Sequence, residues 1–366
     1  MSESPRIYKR ALLDLAETED LQGWSEEVLK RYDESIKLEI RDPGELSFPQ
    51  TRDDIAAAME AFTTGEELVA GRWSGTEQII DEELPVFPIV EDFPTVSPRD
   101  FRLPEQELVS SSLKTAVRAT GRINFLDDEG YVRYATGFLV TPDLVCTNRH
   151  VASAFCTGVG LQNLSLTSSA NIHFGMESGS NWRQGDGLPT GEQGEVYDIE
   201  GPVLIHPYWD VAFLSLESSS ERLPLAFDAS GRKASKVFVV GHPQPSSSAG
   251  GYNHQLRLLD REAGVKRVAP GKVGPRTMVV DPQGNSVLAL THKASTLPSN
   301  SGSPLIRVDS GEVLGIHMSG RYLVDNYAVP ASELFRDPRI VELGLSFEPD
   351  VSVTDPWSDY WERTAS

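Results

Sequence analysis

The sequence predicts a mainly β fold, an all-β barrel or sandwich, which follows a helical amino-terminal region. After about residue 110, about ten short β-rich runs occur at close spacing, among them "RINFL", "ATGFLV", "VAFLSL" and "KVFVVG". Gly, Pro, Asp and Ser separate these runs, and no long helical pattern lies between them. Many short strands bounded by turn residues are typical of barrels and sandwiches.

Residues 1–83 are expected to be helical. Hydrophobic side chains between Trp24 and Ile36 recur at the spacing of one helix face, and those between Ile55 and Phe62 do the same. This spacing favours amphipathic helices, which we interpret as a regulatory or adaptor region.

The β-rich segment, residues 110–346, is flanked by two segments of different character. Residues 84–109 contain five prolines between Leu84 and Pro104, which favours an extended connector over a long helix. Residues 347–366 form an acidic, aromatic carboxy-terminal tail that ends in "TDPWSDYWERTAS". Two Trp and one Tyr are more than a solvated tail needs, so a tail docked on the body is favoured over a free tail.

The charge of the chain limits its partners. The chain has 366 residues, 39% of them hydrophobic, and a formal net charge of −21. Residues 1–105 alone hold 25 acidic and 11 basic side chains. A field of this sign repels nucleic acid and anionic lipid, so we expect neither nucleic acid nor a membrane as partner. Solubility alone also explains the charge, and a regulatory protein that binds the acidic amino-terminal region is the other interpretation.

The two cysteines, Cys146 and Cys156, are considered together with the expected cellular location of the protein. The start "MSESPRIYKR" lacks the apolar core of a secretory signal, and no run approaches the roughly 18 apolar residues of a membrane span. We therefore expect a cytoplasmic protein with two free thiols, and a disulfide between Cys146 and Cys156 is the alternative.

The run "LPSNSGSPLI", residues 297–306, is either a polar loop or a turn that presents a nucleophilic serine. A serine hydroxyl needs an adjacent base, and the base needs an orienting group. His150 follows two predicted strands and begins a short helical turn, while Asp210 precedes the strand "VAFLSL". Loops of a barrel scaffold can bring such distant residues together. The sequence therefore predicts a His–Asp–Ser constellation, with His150 as base and Asp210 as its orienter.

The motifs "TGFLVTPDLVCTNRHV", "HPYWDVAFLSL" and "LPSNSGSPLI" resemble the three catalytic motifs of trypsin-like serine proteases. They look closest to the bacterial branch that contains the glutamyl endopeptidases. The resemblance implies a chymotrypsin-type fold of two six-stranded antiparallel β-barrels, with the site in the cleft between them. It implies that His150 is the general base, Asp210 its orienter and Ser301 the nucleophile. It also implies an oxyanion hole made by the backbone N–H groups of Ser299 and Ser301.

Two residues depart from the family pattern. Ser299 stands where the family usually has Gly, which allows the required backbone orientation without steric cost. A strained or collapsed oxyanion hole is therefore expected before substrate binds. Asn300 stands where many secreted digestive members have an Asp that pairs with a new amino terminus after zymogen cleavage. We therefore expect regulation by the amino-terminal region in place of that activation.

The specificity pocket is expected around Thr296, His317 and Ser319. No Asp lies in the stretch before Ser301, so the chain lacks the pocket aspartate with which trypsin binds Lys or Arg. In the resemblance, Thr296 and His317 match positions that bind the substrate carboxylate in glutamyl endopeptidases. A cationic or hydrogen-bonding imidazole there would suit Glu or Asp. The alternative is that His317 is only a packed strand residue.

The histidines outside these motifs lack metal-ligand spacing, and we expect no metal and no cofactor. The favoured function is a bacterial, cytoplasmic serine endopeptidase of restricted specificity, which acts on a protein or peptide substrate. The alternative is a catalytically inactive protease-fold binding module, and Ser299 is the residue that supports it. A purely structural barrel is a third interpretation.

Overall fold

The computed structural model of the chain describes residues 86–95 and 110–365, with gaps at 128, 180–187, 190–194, 232–233, 235, 246–258, 260–261, 322–324 and 349–351. The predicted helical region, residues 1–83, and most of the predicted connector lie outside the described residues.

The described part of the connector is a β-hairpin. Strands β1 (Phe87–Val90) and β2 (Phe93–Pro94) are joined by Glu91 and Asp92, whose φ angles are +50° and +68°. Two successive positive φ angles are those of the type I′ turn, whose twist suits a two-residue hairpin. Phe87 and Ile89 are buried, so β1 is anchored by its side chains as well as by strand pairing.

The first half of the β-rich segment is a closed six-stranded antiparallel barrel. A short helix, α1 (Ser111–Ala119), begins after Ser110, whose side chain accepts a hydrogen bond from the N–H of Leu113. The barrel has the strand order β10-β5-β4-β3-β8-β9. Its strands are β3 (Thr120–Leu126), β4 (Val132–Thr141), β5 (Leu144–Thr147), β8 (Ala170–His173), β9 (Val196–Ile205) and β10 (Ala212–Leu216). This confirms the first of the two predicted six-stranded barrels.

Two small elements lie between β5 and β8. Helix α2 (Arg149–Ala152) directly follows β5, and a separate two-stranded sheet contains β6 (Cys156–Val159) and β7 (Gln162–Leu166). The "HVASAF" turn of the sequence is thus the short helix that carries His150.

The second half is a ten-stranded sheet, which is larger than the predicted six-stranded barrel. Six strands pair in the order β12-β15-β16-β17-β14-β13, and β12 also pairs with β13. They are β12 (Lys236–Gly241), β13 (Arg267–Val280), β14 (Ser286–His292), β15 (Pro304–Arg307), β16 (Val313–Arg321) and β17 (Asp325–Pro330). The additional strands are β1 and β2, which extend the sheet beyond β13, and the short parallel strands β11 (Phe227–Asp228) and β18 (Phe347–Glu348).

The end of the chain packs on the body. Helices α3 (Ala331–Leu334) and α4 (Pro338–Val341) follow β17, and α5 (Ser358–Ala365) lies near the end of the chain. Trp357 and Trp361 are each 6% exposed, and the Trp361 indole Nε1 donates to Asp337 Oδ2 at 2.6 Å. The two tryptophans of the predicted tail are therefore part of the core.

One hydrophobic cluster of buried residues runs through both halves of the domain and includes the tail tryptophans. Cys146 and Cys156 are both free and buried. Among the described residues, no helix has the length and apolar character needed to span a bilayer. The continuous core fixes the two halves relative to each other, which is what a site between them requires.

Candidate active site

His150 and Asp210 form a direct pair. The carboxylate Oδ2 of Asp210 lies 2.7 Å from His150 Nδ1, and Oδ1 accepts the backbone N–H of His150 at 2.9 Å. Asp210 is fully buried, whereas the His150 side chain is 29% exposed. Because a carboxylate only accepts, the imidazole carries a proton on Nδ1, which it donates to Asp210. The predicted base and its predicted orienter are thus brought together.

Neighbours on both sides hold this pair. Asn148, which precedes α2, donates from Nδ2 to the backbone carbonyl of Asp210 at 2.9 Å. Gln283, from the turn between β13 and β14, donates from Nε2 to Asp210 Oδ1 at 2.9 Å. Neither contact was expected from the sequence.

Arg149 is half-buried and donates hydrogen bonds to the loop that precedes Asp210. Its guanidinium donates to the carbonyl oxygen of Pro207 at 2.9 Å and lies 3.4 Å from that of His206. Burial lowers the pKa of Arg149, while Asp281 and Asp210 oppose that shift. The side chain ties the helix that carries His150 to the loop that carries Asp210.

Ser301 lies in a tight turn before β15. The N–H of Asn300 donates to the carbonyl of Leu297 at 3.2 Å, and Ser299 has a φ of +70°. Because Pro298 cannot adopt a positive φ, this is a type II turn with Ser299 at the position that favours Gly. Ser299 therefore adopts a left-handed backbone conformation that Gly would adopt without steric cost.

Gly302 completes this turn and also has a positive φ, +86°. A Cβ at this position would lie 2.0 Å from the carbonyl oxygen of Thr136 and 2.4 Å from the hydroxyl of Thr147. Only Gly lets the turn that carries Ser301 approach the first barrel this closely.

Thr136 of β4 joins the turn to the barrel that carries His150. Its N–H donates to the carbonyl of Ser301 at 3.0 Å, and its hydroxyl donates to the carbonyl of Ser299 at 2.8 Å. Its own carbonyl accepts the hydroxyl of Thr147, three residues before His150 in the chain. One threonine thus connects the turn that carries Ser301 to the strand that precedes His150.

The hydroxyl of Ser301, a residue only 8% exposed, forms no hydrogen bond to any described residue. The structure therefore joins His150 to Asp210 directly and does not join Ser301 to His150 by a hydrogen bond. The backbone N–H groups of Ser299 and Ser301 likewise donate to no acceptor in the described part of the chain. Two unpaired donors on one turn can receive an anionic oxygen.

The three predicted pocket residues cluster along β16 and β17. Thr296 donates its hydroxyl to Asn326 Oδ1 at 2.7 Å, and Asn326 pairs in register with Gly320. His317 and the half-buried Ser319 lie two residues apart on β16, with a register irregularity between them. The carbonyl of His317 accepts the N–H of Gly302 at 2.9 Å, so the cluster adjoins the nucleophile turn.

The environment of His317 disfavours the charged form of its imidazole. Burial, with a smaller contribution from His150, lowers the pKa of His317 to about 3. Its Nδ1 lies 3.1 Å from Nε2 of His292, a ring whose pKa burial also lowers. Of the two predicted modes for His317, the hydrogen-bonding imidazole fits the structure and the resting cation does not.

His206 and His242 are two further buried histidines of the described chain. His206 Nδ1 accepts the N–H groups of Tyr208 and Trp209, and its Nε2 faces Asp337 at 3.2 Å. His242 is buried, and its ring has no hydrogen-bond partner among the described residues. In the part of the chain that the structure describes, no group of three or more His, Cys, Asp or Glu side chains could hold a metal ion.

The contacts that the sequence did not predict are those of Asn148, Arg149, Thr136 and Gln283. Asn148 and Arg149 are next to His150 in the sequence, so their closeness to it was predictable. The residues to which they form hydrogen bonds were not. Thr136 stands within the quoted run "ATGFLV", where nothing marks a threonine as more than a strand residue. Gln283 belongs to "DPQGN", whose Asp, Pro and Gly predict a turn without saying what the turn faces.

Residues 135–316 match the model of the trypsin-like peptidase domain, and this span contains His150, Asp210 and Ser301. No curated protein sequence matches the chain. Among solved structures, the active form of the Rv3671c protease from M. tuberculosis is 18% identical, with a TM-score of 0.44, over 75% of this chain and 99% of that one. Deg5 is 16% identical, with a TM-score of 0.43, over 67% of this chain and 99% of that one.

Proposed function

We propose, from the match of residues 135–316 to the model of the trypsin-like peptidase domain, that the protein is a serine endopeptidase which uses Ser301, His150 and Asp210. The observation that carries the proposal is the contact between His150 Nδ1 and Asp210 Oδ2 at 2.7 Å, with the carboxylate fully buried. A buried carboxylate bonded to a partly exposed imidazole is the arrangement that orients a general base for acyl transfer.

The proposed reaction proceeds in two halves. Ser301 Oγ attacks the carbonyl carbon of the substrate while His150 Nε2 takes the hydroxyl proton. Asp210 stabilises the resulting imidazolium through Nδ1–H. His150 then gives the proton to the leaving amine as the C–N bond breaks and an acyl-enzyme forms. A water molecule, deprotonated by His150, attacks the ester carbonyl, the bond to Ser301 Oγ breaks, and His150 returns the proton to that oxygen as the acid product leaves.

The developing oxyanion is received by the N–H groups of Ser299 and Ser301. Support for this proposal comes from the φ of +70° at Ser299 and from the absence of an acceptor for either group among the described residues. Preorganised donors of this kind contribute a large share of the rate enhancement in acyl transfer.

The proposed primary specificity is for Glu or Asp, with Thr296, His317 and Ser319 around the pocket. A neutral His317 recognises a carboxylate only as a donor through Nε2, which requires that its Nδ1 accept from Nε2–H of His292. The 3.1 Å contact between these two nitrogens supports that tautomer chain. Membership of the glutamyl endopeptidase branch is proposed from the resemblance of the three motifs. Regulation by the amino-terminal region is proposed from the sequence alone, because residues 1–83 lie outside the described residues.

The second candidate is a catalytically inactive protease-fold binding module. It is favoured by one observation: the Ser301 hydroxyl has no hydrogen bond to His150 or to any other described residue. Catalytic hydrogen bonds are often long before substrate binds. Reactivity of Ser301 therefore distinguishes the enzyme from the binding module.

Reaction with a fluorophosphonate probe tests the proposal, with Ser301→Ala as the decisive variant. We expect the wild type to be labelled and Ser301→Ala not to be, because the probe needs an activated serine. Hydrolysis should fall by on the order of 10⁶-fold in kcat in the same variant. Ser310→Ala is the matched control, since Ser310 is an exposed serine in the same half of the domain. A wild type that neither reacts with the probe nor cleaves peptides supports the binding module.

Cleavage of an unbiased peptide library tests the specificity. We expect enrichment of Glu or Asp on the amino-terminal side of the scissile bond in the wild type and no cleavage by Ser301→Ala. A library that is cleaved without such enrichment removes the acidic preference and leaves the endopeptidase in place.

A further inference from the structure

The turn between β13 and β14, residues 281–285, has a geometry that its sequence "DPQGN" dictates. Asp281 Oδ1 accepts the N–H groups of Gln283 at 3.0 Å and Asn285 at 2.7 Å. The N–H of Gly284 donates to the carbonyl of Asp281 at 2.9 Å, and Gly284 has a φ of +85°. Asp, then Pro, then Gly at the fourth position are the residues of a type I turn followed by a left-handed Gly. The position of Gln283 on the turn is therefore well defined.

This turn belongs to the second half of the domain but is bonded to the aspartate loop of the first. Asn285 Nδ2 donates to the carbonyl of Tyr208 at 3.0 Å, and the Tyr208 hydroxyl donates to the carbonyl of Ser286 at 2.8 Å. Asp210 lies two residues after Tyr208, so the same contact surface extends to the carboxylate.

Gln283 Nε2 donates to Asp210 Oδ1 at 2.9 Å. The amide must present its nitrogen, because a carboxylate oxygen cannot donate to the amide oxygen. The amide oxygen Oε1 is then buried without a hydrogen-bond partner in the described part of the chain. A buried unpaired carbonyl is unfavourable for stability, so the placement of Gln283 is better explained by its effect on Asp210.

We propose that Gln283 is a positioning residue for the active site, which holds the Asp210 carboxylate so that Oδ2 faces His150 Nδ1. The proposal rests on the proposed function. Gln283 and the His150 backbone N–H together occupy Oδ1, and a carboxylate held through one oxygen cannot rotate away from the imidazole. Because the glutamine comes from the other half of the domain, it also couples the His–Asp pair to the half that carries Ser301.

The test compares Gln283→Glu, Gln283→Ala and the control Gln162→Ala, an exposed glutamine on β7. Gln283→Glu keeps the size of the side chain and replaces the donor with an acceptor. We expect the rate of fluorophosphonate labelling to fall about 10-fold in Gln283→Ala. It should fall further in Gln283→Glu, where two carboxylates repel each other. The acid limb of the pH–rate profile should move to higher pH, because less of the Asp210 charge is offset by a donor. The thermal midpoint of each variant shows that it is folded.

The Nδ1–H proton resonance of His150, assigned with His150→Ala, gives a readout that needs no activity. We expect this resonance to shift or broaden in both Gln283 variants and to stay unchanged in Gln162→Ala. Wild-type labelling rates together with an unchanged resonance in Gln283→Glu would overturn the positioning role. A wild type without any labelling, with a resonance that still responds to Gln283, would overturn the proposed function and leave the contact with Asp210 intact.

Discussion

At the scale of single residues, the candidate site depends on two backbone conformations in one turn. Ser299 and Gly302 have φ angles of +70° and +86°. Gly302 has no alternative, because the carbonyl of Thr136 and the hydroxyl of Thr147 leave no room for a Cβ. The side chain of Ser299 has room, and its Oγ lies 3.3 Å from Gln244 Oε1. The strain at Ser299 therefore comes only from its left-handed backbone conformation. The strain at Ser299 is thus local and can be removed by substitution.

Ser299→Gly should raise the free energy of unfolding by about 1 kcal/mol. Relief of left-handed strain, on the order of 1–2 kcal/mol, exceeds the added entropy of the unfolded chain, roughly 0.5–1 kcal/mol. Denaturant unfolding measures the change, and Ser299→Ala is the matched control because it removes the hydroxyl and keeps the strained φ. Equal stability of the Gly and Ala variants would show that Ser299 is not strained. The fluorophosphonate labelling rate of Ser299→Gly should be at least that of the wild type, because the turn keeps its conformation.

At the scale of the elements, helix α5 supports the loop that carries Asp210. Trp361 of α5 and His206 both contact Asp337 Oδ2, and the His206 ring accepts the N–H groups of Tyr208 and Trp209. Trp357 packs against Tyr208 and Trp209. A chain of hydrogen bonds and aromatic contacts therefore leads from the end of the chain to the residue before Asp210.

Trp361→Phe should lower the free energy of unfolding by about 2 kcal/mol, because it removes a buried hydrogen bond to a carboxylate and keeps an aromatic ring in place. Denaturant unfolding measures this loss. Tyr131→Phe serves as the control, since Tyr131 is an aromatic residue that is 59% exposed. If the Trp361 variant unfolds at the wild-type denaturant concentration, α5 does not dock on the body in solution.

At the scale of the whole molecule, the core holds several histidines in their neutral form. Burial is the largest cause that lowers the pKa of His173 to about 4 and of His317 to about 3. It also lowers the pKa values of His242 and His292 well below the ordinary value. Asp281 acts in the opposite direction, since burial raises its pKa to about 6.

These shifts predict that the free energy of unfolding decreases as the pH falls below about 6.5. The unfolded chain takes up protons on these histidines, whereas the folded chain does not until its lower pKa values are reached. The loss should be about 1 kcal/mol per histidine between about pH 7 and pH 5.5, and the single Asp281 offsets only a part of it. Denaturant unfolding across this pH range measures the slope. Stability that is flat over the range, or histidine NMR signals from the folded protein that all titrate near pH 6.5, would contradict the prediction.

The sequence by itself determined the β-rich character of residues 110–346, the three motifs and the choice of His150, Asp210 and Ser301 as candidates. Strand periodicity and turn residues are local properties of the chain, and the three motifs were recognised by their resemblance to trypsin-like proteases. The resemblance also identified Ser299 as the unusual residue, since Gly at the matching position allows a left-handed backbone.

Only the tertiary structure decided which groups touch. The bonds of Asp210 to His150 and Gln283, the attachment of the nucleophile turn to Thr136, and the neutral state of His317 depend on residues far apart in the chain. The larger second sheet also depends on such pairing, because β1 and β18 join it from segments near the two ends of the described chain. Contacts, burial and dielectric environment arise when distant segments pack together, and no local pattern encodes them.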